Sequence, residues 1–152
     1  MTKGNFFRYY NKLSGSDRYL VFFEHNGNIY MHDCPHIAPR WTHEERESTK
    51  NGGWQKWKMY ITSAEKARLV KKSVAVMTTA EFNAMPIANK GHRCECYLHK
   101  AYDLGEYTHD NLRFDKGADV IINGIGYQVK FENATLTNVN VLHKAQAEAR
   151  GR

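Results

Sequence analysis

Two Asn-Gly dipeptides, Asn26-Gly27 and Asn123-Gly124, each stand between short runs of β-forming residues. Asn-Gly supplies two consecutive residues that tolerate positive φ, which the tight turn of a hairpin requires, so each predicts a β-hairpin. The first would join residues 19–24 to 29–32, the second 119–122 to 125–132. Residues 54–62 and 74–77 also read as strands. Helices are expected over 63–72 with Ser63 as N-cap, over 79–85 with Thr79 capping and Phe82 facing inwards, and over 91–104 with Gly105 closing the end. A last helix is expected over 139–150 with Thr137 as cap, and residues 39–53 read as a loop or weak helix. The class is α+β: a central mixed sheet with flanking helices, preceded by a β-rich region. The two regions, 1–89 and 90–152, meet near the Pro, Asn and Gly of residues 84–91 and are expected to form one compact unit.

Composition narrows the function classes. Of 152 residues, 41% are hydrophobic and 25% charged, values of an ordinary globular chain, not of a disordered or fibrous one. No apolar run is long enough to span a bilayer, and residues 1–8 lack a signal-peptide core, so a cytoplasmic protein with no membrane association is expected. Three cysteines, Cys34, Cys94 and Cys96, fit a reduced chain better than a disulfide scaffold. With His32, His36 and His92 they make Cys-x-His and Cys-x-Cys spacings. These are too short for the usual structural Zn²⁺ signature, and a helix would turn Cys94 and Cys96 to different sides, so structural zinc is disfavoured. The net charge of +6 lies almost wholly in residues 40–72, which net +5. Trp41, Trp54, Trp57 and Tyr60 are interleaved there with Lys56, Lys58, Arg68 and Lys71, the mixture that suits a nucleic-acid surface. The bland alternative is a solvated basic face around core tryptophans.

The second hairpin holds the chemistry. A two-residue turn at Asn123-Gly124 sets Ile122 opposite Ile125 and Asp119 opposite Gln128, and the period of two puts Lys130 on the face of Gln128. Asp119, Gln128 and Lys130 then converge, while Val120, Ile122, Val129 and Phe131 supply the core face; a one-residue slip would scatter the three. A carboxylate and an amide oxygen are hard ligands suited to Mg²⁺, and a lysine beside them can stabilise charge developing on a phosphate or orient water. Glu95 is the best second carboxylate, because Glu95, Leu98 and Tyr102 share one helix face. Asp115 and Glu132 rank behind it. A surface hairpin face joined by salt bridges is the structural alternative for the trio, and a solvated helix position the one for Glu95. His43, His99, His109 and His143 could serve acid–base chemistry, but no spacing supports a Ser/His/Asp or Cys/His arrangement, and no phosphate-binding Gly-rich loop is present.

At Glu95, Asp119, Gln128 and Lys130 the sequence resembles the PD-(D/E)XK nuclease superfamily: a helix bearing Glu, a hairpin with Asp on its first strand and (D/E)-x-K on its second, then another helix. Gln128 stands where that family usually has Asp or Glu. The Gln-x-Lys form, with Gly117-Ala118-Asp119-Val120, is similar to Mrr-type restriction endonucleases. The resemblance covers roughly residues 90–150. It implies a restriction-endonuclease-like core and a Mg²⁺- or Mn²⁺-dependent DNA endonuclease. Glu95, Asp119, Gln128 and the Val129 carbonyl would bind metal, and Lys130 would stabilise the phosphorane or position the attacking water. A double-strand cutter of this size is expected to be a homodimer on DNA. The alternative is a non-catalytic regulator that binds nucleic acid or protein on a degenerate nuclease fold. A third option, an RNA-binding module that uses the aromatics, predicts single-strand preference and no Mg²⁺ dependence.

Overall fold

The computed structural model describes residues 18–34, 42–45, 56–59, 61–107 and 119–137. The helix expected over 139–150 lies outside the described residues, as do His36, His109, Asp115 and His143. The chain is α+β, built on a mixed five-stranded sheet. In chain order the described elements are β1 (Arg18–His25), β2 (Asn28–Cys34), β3 (Thr42–Glu45), β4 (Lys56–Met59), α1 (Ser63–Leu69) with a 3₁₀ turn (Val70–Lys72), and β5 (Val74–Thr78). They continue with α2 (Thr79–Ala84), α3 (Lys90–Ala101), β6 (Val120–Ile122), β7 (Ile125–Phe131) and β8 (Ala134–Thr137).

Both Asn-Gly turns form with positive φ at each central residue: Asn26 +48° and Gly27 +85°, Asn123 +52° and Gly124 +80°. The large sheet runs β5-β2-β1-β7-β6. All its neighbours are antiparallel except β1 and β7, which pair in parallel with Tyr19 opposite Gln128 and Val21 opposite Lys130. Strands from before and after residue 89 therefore share one sheet. A second, antiparallel sheet runs β3-β4-β8. It differs from the sequence expectation twice: residues 42–45 form a strand inside the stretch read as loop or weak helix, and Thr137 ends β8 where a helix cap was expected.

Each face of the large sheet has its own core. On one face Leu20, Phe22, Val120, Ile122, Tyr127 and Val129 pack with Phe82 of α2 and Cys94 and Leu98 of α3. Tyr19, Val21 and Phe23 alternate to the other face and are fully buried. There α1 packs against β1 with Leu69 buried, and a Lys66–Glu132 ion pair ties α1 to the residue after β7. The central strand β1 is thus buried between the two cores, while the edge strand β5 stays largely exposed.

Candidate metal centre

The second hairpin has the register read from its sequence: Val120 faces Tyr127, Ile121 faces Gly126 and Ile122 faces Ile125. The ladder stops at Val120. Just before it, the Asp119 N–H donates to the Tyr127 carbonyl at 2.9 Å, and Asp119 Oδ2 accepts from the Val129 N–H at 2.9 Å. The carboxylate thus takes the place that a strand carbonyl would fill if β6 continued. A strand residue's N–H and C=O point to the same side, so the Val129 carbonyl is presented toward the same edge as Asp119.

The last part of β7, which β6 does not cover, borders a cleft of about 490 Å³ that also takes in the start of α3. Glu95, Asp119, Val129 and Lys130 line it together, with Lys90, His92 and Glu132. Glu95 reaches it from α3, whose N-cap Asn89 accepts from the His92 N–H at 3.1 Å. Glu95 is only 5% exposed, so this helix position is not a solvated one. A carboxylate this buried needs donors to stay ionised. One is the Tyr107 hydroxyl, which donates to Glu95 Oε2 at 2.6 Å. Burial and the Glu95 carboxylate, with a further contribution from Asp119, hold the Tyr107 phenol far above its usual range, so it remains a donor. Lys90 sits 5.5 Å from the Phe131 ring centroid, a cation–π contact at the cleft.

Gln128 departs from the expected arrangement. It is 3% exposed and is not among the residues lining the cleft. The reason is the parallel partner: β1 places Tyr19 beside Gln128 and covers it with the core of the α1 face. Lys130, two residues on and half-buried, emerges at the cleft. Of the expected DNA contacts, Lys56 and Lys58 lie on β4 of the small sheet, where Lys58 pairs with His43 and Thr135. Arg68 on α1 is ion-paired with Glu65, and Lys71 is exposed on the 3₁₀ turn. Cys34 and Cys94 are buried, and burial, with the Glu95 charge, pushes the Cys94 thiol well above its ordinary value. Cys96 is half-buried.

Comparison with protein-family models, curated proteins and solved structures finds no match.

The residues can be tested against the metal that the nuclease resemblance implies. Among the described residues no group of three or more His, Cys, Asp or Glu is placed to hold an ion. Mg²⁺ does not require such a cage: it keeps several waters and is commonly held through one or two carboxylates. Glu95 and Asp119, two of the three carboxylates lining the cleft, fit that pattern with a carbonyl directed to the same edge; the third, Glu132, is ion-paired with Lys66. Each carboxylate has two oxygens and about four lone-pair sites, so accepting from Tyr107 or Val129 is compatible with ligation. Tyr107 left no signal in the sequence as a neighbour of Glu95. It lies twelve positions on and beyond a helix end, so helical periodicity could not pair them.

Proposed function

We propose that this chain is a metal-dependent DNA endonuclease with a restriction-endonuclease-like core that hydrolyses phosphodiester bonds. The observation that carries the reading is the meeting of Glu95, Asp119 and Lys130 in one cleft from a helix and a hairpin in that chain order. In this reading Asp119, Glu95 and the Val129 carbonyl hold Mg²⁺ or Mn²⁺. The ion supplies Lewis acidity and lowers the pKa of water in the site. Lys130 places its ammonium beside the phosphate and stabilises charge that develops on it. Asp119 and Glu95 stay fixed during the reaction through the Val129 N–H and the Tyr107 hydroxyl. Gln128 is buried beside Tyr19, outside the lining of the cleft.

DNA is the expected substrate, its backbone tracked by Lys56, Lys58, Arg68 and Lys71. Two copies of the chain would serve two strands. The test is incubation of the purified chain with supercoiled and linear DNA in Mg²⁺, Mn²⁺ or chelator. Nicking or cutting that needs the metal supports the reading.

One observation favours a second reading. The withdrawal of Gln128 into the core removes one oxygen ligand from the cleft. A non-catalytic binder on the same scaffold would retain nucleic acid in gel-shift assays, show the salt dependence of phosphate contacts, and cut nothing.

A further inference from the structure

After α3 the chain doubles back along the helix. The Leu104 N–H donates to the His99 carbonyl at 2.9 Å, and His99 Nδ1 lies 3.4 Å from the Gly105 carbonyl oxygen. Asp103 and Gly105 take positive φ of +54° and +89°, which makes the reversal. The turn returns Tyr107 to the helix face formed by His92, Glu95 and His99, spaced i, i+3 and i+7. The Tyr107 ring meets His99 edge-on at 5.2 Å and lies 6.4 Å from His92, while its hydroxyl donates to Glu95 at 2.6 Å.

We propose that Tyr107 is the positioning residue that holds the Glu95 carboxylate for a divalent cation in the cleft. The inference rests on the assignment of Glu95 as a metal ligand. A short hydroxyl-to-carboxylate bond is charge-assisted and about twice as strong as a neutral one, so it selects one orientation of the carboxylate. The ring contacts with His99 and His92 restrict where the phenol can place its hydroxyl. Donors behind ligating carboxylates typically account for 10–100-fold in metal affinity.

The test is a Mn²⁺ titration of the full-length chain, with free ion read by electron paramagnetic resonance. Wild type is compared with Tyr107→Phe, and thermal unfolding is followed in parallel. A dissociation constant raised roughly 10–100-fold in a folded Tyr107→Phe protein is the expected result. An unchanged constant in the folded variant, with binding intact in wild type, overturns the role of Tyr107 and leaves the metal site standing. Absence of Mn²⁺ binding by wild type overturns both. If the Phe variant does not fold, site-specific 3-fluorotyrosine at position 107 keeps the ring and sharpens the donor. A shifted affinity then supports the proposal and an unchanged one overturns it.

Discussion

Asp119 has two duties that substitution can separate. Its Oδ2 completes the hydrogen bonding of β7 at Val129, and its charge is proposed to hold the metal. Asn keeps an oxygen acceptor at the same reach, whereas Ala removes it. Asp119→Asn should therefore unfold in urea within about 1 kcal/mol of wild type yet lose divalent-ion binding and cleavage. Asp119→Ala should also lose about 1–3 kcal/mol, the cost of stranding a partly buried N–H. Full activity in Asp119→Asn would leave the carboxylate with its structural duty alone. The fate of Gln128 belongs to this scale too. Its pairing with Asp119 was the extrapolation of the turn register, but the ladder ends at Val120, and Gln128 is buried beside Tyr19 on β1, more than one hundred positions away, a contact no local pattern carries.

At the scale of elements, the helix starts show what a sequence does and does not display. Ser63 and Thr79 were expected as caps. The caps are Thr62 and Thr78, one residue earlier in each case. The signal was present: Thr62-x-x-Glu65 and Thr78-x-x-Glu81 both have the spacing in which the threonine oxygen accepts from the N–H three residues on. At α2 the box is complete, since Glu81 also accepts from the Thr78 N–H at 3.1 Å. These bonds hold the Glu81 carboxyl below its ordinary value. A carboxyl whose pKa is lowered by folding stabilises the fold fully above its unfolded value and loses that contribution as pH falls through the folded one. Thermal unfolding from pH 7 down to 3 should show this loss in wild type, and Glu81→Gln should be less pH-sensitive over the acid range. Identical acid profiles would contradict the box. Thr62→Ala should cost about 1 kcal/mol, measured by chemical denaturation.

At the scale of the whole molecule, hairpins were legible because their partners are adjacent in sequence and their turns need particular residues. The parallel pairing of β1 with β7 and the pairing of β8 with β4 were not, because each joins distant segments and leaves no short-range mark. The two cores that result keep two acids neutral. Burial raises the Tyr19 hydroxyl and the Cys94 thiol above their ordinary values of 10.0 and 9.0. Unfolding frees both to ionise, so their contribution to stability should be level below pH 9 and decline as pH rises past it. Chemical denaturation across pH 7–11 reads this directly. Phe22 illustrates what the core contributes: it is fully buried, with its ring edge-on to Tyr97 at 6.3 Å, and Phe22→Ala should cost about 3–5 kcal/mol.

The cleft shared by Glu95, Asp119 and Lys130 is proposed to cut DNA with a metal ion. The most direct measurement compares wild type and Lys130→Ala on supercoiled DNA in Mg²⁺ or Mn²⁺, at matched folding and matched DNA binding. Metal-dependent cleavage by wild type should fall roughly 100-fold or more in the variant, the scale of losing one transition-state donor. Equal cleavage by both proteins, or none by wild type on duplex, branched and single-stranded DNA, would contradict it.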